Sequence, residues 1–584
     1  MKLLLRSIKK YKWAVVLAIF IKLLGTMAEL LLPYILEHMV DVVVPTGELR
    51  QVIIWGLMMF LAAIVCRMLN VSANRKAIFN AHRVSYDVRQ ALFEKTTNLS
   101  GSQFDAFGLP SLISRMTSDS YNVQSAVQQF QSLCVRAPIM LVGGLIMTLS
   151  MDWHLAMILV VMLPFLLGIV LFVSSKGIPL FTGVQQRLDT VVRIMRENIT
   201  GIRVVKALSK GEFEKRRFSG ANKDMADSDI RASSIMAIPG PFMQMSLNVG
   251  LVLVIILGAR RVDAGEMQPG VILAFLTYFN MITMGVMGVN RIFMTMSKAS
   301  ASANRIDAVL NTPTDQTILT GAEAKTPQGS EFIRFENVNF SYNTVDESDA
   351  GFAGEKHEQA LTGISFAIKK GESLGIIGPT GCGKTTIINL LMRFYDVQDG
   401  GVFVEGRDVR TYDKDELRRK FGVVFQNDMV FQDTLRENIN FGRGIGAAEI
   451  DGAVEDAMAA EYINSLDGGL DYEATIKGAN LSGGQKQRLL VARALAGDPE
   501  ILVLDDSSSA LDYKTDAAMR RAIENHHADS TLIMIAQRVS SVMGMTHIMV
   551  MDNGRCIGYG SHEELLKTCP AYKEIYDIQM GAIG

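Results

Sequence analysis

The sequence predicts an N-terminal all-α polytopic membrane domain with six transmembrane helices, followed by a C-terminal α/β domain built around a phosphate-binding loop. Of the 584 residues, 49% are hydrophobic and only 20% are charged, whereas soluble proteins average about 25% charged residues. The long apolar segments lie in the first half of the chain, and a glycine-rich phosphate-loop motif lies in the second half. A disordered chain, a fibrous repeat and a purely soluble enzyme are therefore excluded.

Six apolar segments predict the six helices of the membrane domain. Three of them run without a charge for 21, 28 and 24 residues, and about 20 residues at 1.5 Å each cross a hydrocarbon core of about 30 Å. The other three are shorter or are interrupted by charges. In chain order the segments are 13–36, 51–66, 137–151, 155–175, 232–259 and 267–290.

The connections between these segments predict how the chain is oriented in a cell membrane. The short connections are 37–50, 151–154 and 260–266, and the long hydrophilic ones are 70–133 and 176–231. Lys and Arg accumulate at the N-terminus and in both long stretches, and such residues favour the cytoplasmic side. Both termini and both long stretches are therefore expected in the cytoplasm, although two arginines in the last short connection run against the rule.

The composition changes after residue 305. We expect a membrane domain over 1–305, a Thr-, Pro- and Gly-rich linker over 306–330 and an α/β domain over 331–584. The formal net charge of −2 disfavours nucleic-acid binding. The five cysteines have no paired spacing, which indicates neither a disulfide framework nor a zinc site.

Two charges lie inside the first apolar segment. Lys22 and Glu29 are seven residues apart and share a helix face. They indicate either a polar cavity or pair at membrane depth, or a Lys22 side chain that extends to the interface with Glu29 near the outer surface. The last two helices are rich in methionine, which suits either a surface for varied ligands or simple packing.

A phosphate-binding loop directly follows the predicted strand SLGII. Its sequence GPTGCGKT has the G-x-x-x-x-G-K-[ST] spacing in the required strand–loop–helix setting. Backbone N–H groups and the helix N-terminus would surround the phosphates. Lys384 would reach the β- and γ-phosphates, and the Thr385 hydroxyl would ligate Mg²⁺. The predicted nucleotide-binding residues of this loop are Gly378, Pro379, Thr380, Gly381, Cys382, Gly383, Lys384, Thr385 and Thr386.

A second apolar strand ends in a carboxylate that completes the predicted metal site. The strand 501–504 is followed by Asp505. A strand-ending aspartate opposite a phosphate loop holds Mg²⁺ or its water. The two motifs together indicate a nucleotide-binding site for ATP and Mg²⁺.

Between these motifs, the sequence LSGGQ offers hydroxyl and backbone donors at a helix N-terminus for a further phosphate group. A phosphate loop, LSGGQ and an Asp-ended strand in this order resemble the ATP-binding cassette (ABC) ATPases. The six-helix half ahead of them resembles the type IV half-transporters of exporters, and 108–119 and 201–218 resemble that family's two cytoplasmic loops, whose coupling helices touch the ATPase domains. The signature residues are Ser482, Gly483, Gly484 and Gln485.

The resemblance implies roles for three further positions. Tyr342 resembles the aromatic residue that stacks on adenine, and Gln426 resembles the glutamine that links Mg²⁺ and the γ-phosphate to the coupling helices. Residues 509–512 look like the D-loop. The acidic insertion 343–358 after Tyr342 departs from the family pattern.

Two substitutions relative to the family alter the water-handling groups. Asp506 stands where the family has a catalytic Glu, and Gln537 stands where it has the switch-loop His. The shorter carboxylate and an amide that does not titrate predict a site that binds ATP and hydrolyses it poorly. The resemblance then implies a heterodimer, in which a different half-transporter supplies Glu and His to a competent site completed by this chain's LSGGQ.

The sequence therefore predicts ATP-driven export of amphipathic small molecules, drug-like or lipid-like, by a heterodimeric transporter. Three alternatives stay open: a homodimeric exporter with Asp506 as the base, an ATP-binding regulatory or sensor subunit, and a siderophore importer of the same architecture. Fold alone does not decide the direction of transport.

Overall fold

A computed structural model of the chain describes residues 2–313, 316–319, 329, 331–342, 359–507 and 510–581. The chain divides into two compact units, one of Met1–Thr97 with Pro110–Thr312 and the other of Asn98–Leu109 with Pro313–Gly584. The insertion 343–358, most of 320–330 and Ser509 of the D-loop lie outside the described residues.

The described residues of the first unit form helices joined by short turns. Five of its helical segments are long and apolar enough to cross a membrane, and Trp153–Ile169 is a shorter apolar segment. This confirms the predicted helical membrane domain. Its α-helices are α1 (Lys2–Lys9), α2 (Lys12–His38), α3 (Leu49–Thr97), α5 (Leu109–Ser114), α6 (Ser120–Pro138), α7 (Gly144–Met151), α8 (Trp153–Thr200), α9 (Ile202–Ala207), α10 (Gly211–Ala237), α11 (Pro239–Asp263) and α12 (Pro269–Leu310), and the second unit contributes α4 (Gly101–Phe107).

The helices are much longer than the apolar segments. Helix α3 has 49 residues and α8 has 48, which at 1.5 Å per residue is about 70 Å each. The hydrophilic stretches that follow the apolar segments are therefore mostly continuous helix and not extended loops. Hydropathy marks where a helix leaves the apolar phase, whereas the helix itself continues through polar residues of good helix propensity.

Both charges of the first membrane segment are paired with polar groups on other helices. Lys22 is only 4% exposed, and its ammonium donates to Asn70 Oδ1 at 2.8 Å and to Asn74 Oδ1 at 3.2 Å. Glu29 accepts from Arg136 at 2.8 Å. Each charge thus has its own partner, as the high cost of an unpaired charge at membrane depth requires, and Lys22 does not extend to the interface.

The second unit contains two sheets. A four-stranded antiparallel sheet has the order β2-β1-β4-β5, and a six-stranded sheet has the order β10-β9-β3-β8-β7-β6, in which only β10 is antiparallel. The strands are β1 (Ile333–Phe340), β2 (Leu361–Ile368), β3 (Ser373–Ile377), β4 (Asp399–Val404), β5 (Arg407–Asp408), β6 (Phe421–Val424), β7 (Ile501–Asp505), β8 (Thr531–Ile535), β9 (His547–Asp552) and β10 (Arg555–Gly560).

The parallel arrangement decides where the site is built. Strands β3, β8 and β7 are neighbours, so that their carboxyl ends, and the loops that follow them, meet at one edge of the sheet. The helices of this unit are α13 (Lys384–Leu391), α14 (Lys414–Arg419), α15 (Leu435–Asn440), α16 (Ala447–Asp456), α17 (Ala460–Ser465), α18 (Gly483–Leu495), α19 (Tyr513–His526), α20 (Val539–Val542), α21 (His562–Thr568) and α22 (Pro570–Gly581).

Helix α4 packs on the ATP-binding half of the chain. The Gly101 N–H donates to the Phe394 carbonyl at 2.9 Å, and the Tyr395 hydroxyl donates to Asp105 Oδ2 at 2.6 Å. A Cβ at Gly101 would lie 2.5 Å from the Tyr395 ring, so the close approach requires glycine here.

The position of α4 differs from the expectation drawn from the family resemblance. The resembling stretch 108–119 begins just after α4, and the stretch 201–218, which holds α9, belongs to the first unit. The local signal for α4 is a capping box, in which Ser100 and Gln103 bond each other's backbone N–H groups. That signal is in the sequence, but nothing local indicates what the helix packs on.

A buried arginine ties the linker to the core of the second unit. The Arg393 side chain is 1% exposed and pairs with Asp396 at 2.9 Å. Its guanidinium also donates to the carbonyls of Thr317 at 2.7 Å and Arg410 at 3.1 Å. The Arg393 side chain thus bonds acceptor groups on three separate segments of the chain.

Replacing Arg393 by Met is expected to lower the free energy of unfolding of this unit by about 2 kcal/mol, because it removes the ion-pair partner of Asp396 and the hydrogen bonds that the buried guanidinium makes to the carbonyls of Thr317 and Arg410. Calorimetry of the detergent-purified chain would measure the loss. Arg436→Met is the control, since Arg436 makes an exposed pair with Asp471 that is worth about 0–1 kcal/mol. Equal shifts in the two variants would contradict the prediction.

Candidate functional site

A cavity of about 830 Å³ opens at the carboxyl ends of β3, β7 and β8. It brings together most of the residues that the sequence predicts for nucleotide binding and catalysis. The predicted residues that line it are Tyr342, Thr380, Gly381, Gly383, Lys384, Thr385, Thr386, Gln426, Asp505, Asp506 and Gln537. The predicted residues that do not line it are Gly378, Pro379, Cys382, Ser482, Gly483, Gly484 and Gln485.

The phosphate loop closes around its own lysine. Lys384 Nζ donates to the carbonyls of Gly378 at 2.8 Å and Pro379 at 2.7 Å. Gly383 precedes α13 with φ +96°, and a Cβ there would lie 2.6 Å from the Ala360 carbonyl. The glycine is required both by its backbone conformation and by this close approach.

Cys382 lies behind the loop and not in the cavity. The side chain is buried, and burial raises the pKa of its thiol. Its side chain therefore packs beneath the loop, and Cys382 contributes to the site only through its backbone.

The predicted metal ligands are in contact with each other. The Thr385 hydroxyl donates to Asp505 Oδ2 at 2.7 Å, and Asp505 is 2% exposed. Burial raises the pKa of the Asp505 carboxyl, and the Thr385 hydrogen bond opposes that rise. A hydroxyl and a carboxylate are hard oxygen ligands of the kind that Mg²⁺ prefers, and Gln426 offers an amide oxygen from the same cavity wall.

Replacing Asp505 by Asn is expected to weaken Mg²⁺-dependent nucleotide binding by about 10-fold or more, since it removes the only charged oxygen of this pair. Nucleotide binding in EDTA should change little, because Lys384 and the loop backbone are untouched. Titration of a fluorescent ATP analogue with and without Mg²⁺ would separate the two effects. An equal loss under both conditions would show that Asp505 acts on the loop and not on the metal.

The two altered catalytic positions bind each other. Gln537 Nε2 donates to Asp506 Oδ2 at 3.0 Å. Asp506 has φ +52°, and burial raises the pKa of its carboxyl while the charge of Lys384 opposes the rise. The carboxylate is thus held at the cavity wall by a group that can donate and accept but does not titrate.

Tyr342 lines the cavity with its hydroxyl anchored beside the phosphate loop. The hydroxyl donates to Thr386 Oγ1 at 3.1 Å and accepts from Asn389 Nδ2 at 3.2 Å. Its ring meets the rings of Phe340 and Tyr395 edge to face, with centroids 5.0 and 5.1 Å away. These contacts fix the orientation of an aromatic face next to the nucleotide cavity.

The signature residues begin α18, outside the cavity. The Ser482 side chain and the Gln485 side chain form a capping box around the first turn, which leaves the helix N-terminus ordered and exposed. In the next turn, Gln487 Nε2 donates to the Asp506 carbonyl at 3.1 Å and its Oε1 accepts from Ala510 N–H at 3.1 Å. One amide therefore links the signature helix to both the predicted catalytic position and the predicted D-loop.

Comparison with known proteins agrees with this geometry. Residues 15–286 match the family described as "ABC transporter transmembrane region", and residues 361–509 match the family described as "ABC transporter". The chain is 33% identical over 581 residues to the uncharacterized ABC transporter ATP-binding protein YfiB of Bacillus subtilis (strain 168), covering 99% of both chains. The chain belongs to the ABC transporter family.

Two further comparisons agree with the architecture of this ABC transporter. It is 31% identical over 508 residues to the ATP-dependent lipid A-core flippase of Photobacterium profundum, covering 85% of this chain and 83% of the flippase. Its fold matches a bacterial Atm1-family ABC exporter with ATP bound at a TM-score of 0.78, with 22% identity and coverage of 97% and 98%. The chain is thus a half-transporter whose ATPase domain is coupled to transport.

The structure adds residues to this ABC transporter's site that sequence reasoning missed. Gln487 carries no signal beyond its place after LSGGQ. The turn between β9 and β10 has an Asn-Gly pair, a recognisable hairpin signal, but its approach to the cavity is a long-range contact. The additional residues that line the cavity are Gln359, Ala360, Thr362, Ile535, Asn553, Gly554 and Arg555.

Proposed function

We propose that this chain is one subunit of a heterodimeric ABC exporter, to which it contributes a hydrolytically impaired ATP site and the LSGGQ signature of a competent site. The observation that carries the proposal is the Asp506–Gln537 pair, 3.0 Å apart at the wall of the nucleotide cavity. Both groups that handle the attacking water in the family are replaced, while the phosphate loop and its metal ligands are kept.

The physical basis is the reach and the chemistry of the two side chains. Aspartate is one methylene shorter than glutamate, which sets its carboxylate back by about 1.5 Å, and a misplacement of about 1 Å can cost about 100-fold in rate. Gln537 can hydrogen-bond a phosphate oxygen but cannot carry the positive charge of a protonated histidine. The site therefore binds ATP and turns it over slowly.

The intact signature supports a division of labour with a different chain. Ser482 and Gln485 keep a complete capping box, and an exposed helix N-terminus favours phosphate binding. In the family two cassettes enclose ATP head to tail, so this signature serves the site of the other subunit. That partner supplies the Glu and His that this chain lacks.

The residues of this chain have distinct tasks in the cycle. Lys384 and the loop backbone hold the phosphates, Tyr342 offers a face to the adenine, and Thr385, Asp505 and Gln426 would hold Mg²⁺, which when bound neutralises phosphate charge. Closure of the cassettes is transmitted through α4, in which Asp105 accepts a hydrogen bond from the Tyr395 hydroxyl. ATP retained at the slow site biases the transporter's conformational populations toward the closed state.

The cargo is an amphipathic small molecule, drug-like or lipid-like. The support is the similarity to a lipid A-core flippase and the adaptable methionines of the last two membrane helices. The basic hydrophilic stretches support a cytoplasmic location for the ATPase domain and for both termini.

The test is to purify the chain alone and together with a candidate partner half-transporter from the same organism, and to measure ATP turnover and uptake of labelled drugs and lipids into inverted vesicles. The pair is expected to hydrolyse ATP and transport, and the lone chain to bind ATP with little turnover. Brisk turnover by the lone chain, abolished by Asp506→Asn, would favour a homodimeric exporter with Asp506 as base. ATP binding without cargo movement would favour a regulatory subunit, and uptake in right-side-out vesicles would favour an importer.

A further inference from the structure

The first two membrane helices pack antiparallel in a register that several contacts fix. Lys22 of α2 donates to Asn70 and Asn74 of α3, and Tyr11 donates to Asp87 Oδ2 at 2.9 Å. Residues 75–83 of α3 therefore lie beside 13–20 of α2, which is where the apolar part of α2 begins. The polar segment of α3 thus lies at the same depth in the unit as the apolar start of α2.

Where α2 and α3 pack together, the surface of α3 is strongly basic. Two adjoining clefts of about 510 and 420 Å³ share Arg75 and Lys76. Arg67 lines the first cleft and Arg83 lines the second. No acidic residue is among the described residues that line either cleft. We call these four cations and their clefts the basic groove.

The nearest carboxylate along α3 is already engaged. Asp87 is paired with Lys10 at 2.8 Å, and the Arg83 guanidinium lies over the Phe79 ring at 4.2 Å. The basic groove therefore keeps a net positive charge at the start of the hydrophilic stretch 70–133, and Lys and Arg at the cytoplasmic membrane surface attract anionic lipid. An anionic group from outside the unit would neutralise this charge.

The α2 side of the same segment is apolar and exposed. Trp13, Leu17 and Phe20 are 77%, 47% and 55% exposed, and Leu17 is itself part of the second cleft. A ligand that fits both sides carries a negative charge next to a long apolar tail. A phospholipid whose phosphate faces α3 and whose acyl chains lie along α2 has this form.

We propose that the basic groove binds the phosphate of an anionic phospholipid of the cytoplasmic leaflet. The lipid is a resident of the surrounding bilayer, held as a stationary ligand, and is distinct from the exported cargo. Arginine suits this role because its planar fork donates two parallel N–H bonds to phosphate oxygens, and each basic residue near a membrane surface strengthens binding of anionic lipid several-fold. The site depends on the proposed orientation of α3, but on neither the heterodimer nor the impaired ATP site.

The test uses lipids brominated on their acyl chains, which quench a nearby tryptophan. The full chain with Trp55→Phe and Trp153→Phe retains Trp13 as its single tryptophan and is placed in nanodiscs, alone and with its partner. Brominated phosphatidylglycerol is expected to quench Trp13 more than brominated phosphatidylcholine does at equal mole fraction. In Arg75→Gln/Lys76→Gln the preference for phosphatidylglycerol should fall about tenfold.

Matched controls decide between the possible results. Arg216→Gln/Lys223→Gln, which removes two exposed cations of α10, should leave the preference unchanged, and Arg75→Lys should retain most of it. Equal quenching by both lipids, or absence of quenching because the partner's helices cover the groove, would overturn the proposal. Loss of the bound phosphatidylglycerol on ATP addition would identify it as cargo and overturn the stationary role. Because quenching is read without hydrolysis, failure of the heterodimer proposal would not affect the result.

Discussion

Replacing Asp506 by Glu together with Gln537 by His is expected to raise the ATP turnover of this chain by about 100-fold. The longer carboxylate would reach the attacking water, and the imidazole would restore a group that can carry charge near neutral pH. The two residues are in direct contact at 3.0 Å, so their effects should be coupled and the double variant should exceed the sum of the single ones.

The measurement is steady-state phosphate release by the chain purified alone, where its own LSGGQ can complete the repaired site. Asp506→Glu with Gln537 unchanged tests the effect of the longer carboxylate alone. Gln537→His with Asp506 unchanged tests the effect of a side chain that can carry charge alone. Lys384→Ala added to the double variant should abolish the gained activity, which would show that it arises at this cavity. If the wild-type chain already turned over ATP as fast as the double variant, the site would not be impaired.

The membrane domain and the nucleotide loop could be predicted because their signals are local. The length of an apolar segment and the residue spacing of a phosphate loop can each be read within about 20 residues. The contact between Thr385 and Asp505 was predictable for the same reason, since each residue ends or follows a recognisable element, and the parallel order of β3 and β7 brings them to the same edge.

The rest depends on contacts between distant segments. The hydrophilic extensions of α3 and α8 carry no apolar periodicity that separates a cytoplasmic helix from a loop, so their length was missed. Gln487 acts because Asp506 and Ala510 lie within 3.1 Å of its amide, and nothing in its sequence neighbourhood indicates either partner. Helix α4 has its cap in the sequence, but the Tyr395–Asp105 bond joins residues 290 positions apart.

In the proposed heterodimer, Gly484→Asp is expected to lower ATP turnover by about 100-fold, whereas Asp506→Asn should change it less than about twofold. Gly484 lies in the first turn of α18, and a Cβ there would be 3.3 Å from the Ala510 carbonyl. A carboxylate at this N-terminus would place negative charge where the helix otherwise attracts a phosphate. The opposite site would lose its signature contact, while the Asp506 site was already slow.

Gly484→Ala is the matched control, because it adds the same Cβ without the charge and should retain most of the turnover. Thermal unfolding of the Gly484→Asp heterodimer would confirm that α18 remains folded, since Ser482 and Gln485 keep their capping box. Binding of a fluorescent ATP analogue to this chain's own cavity should persist in that variant, because Lys384 and Thr385 are intact. The contrast between the two substitutions is the sharpest consequence of the proposed asymmetry: a chain that hydrolysed at its own cavity would be inactivated by Asp506→Asn as severely as by Gly484→Asp.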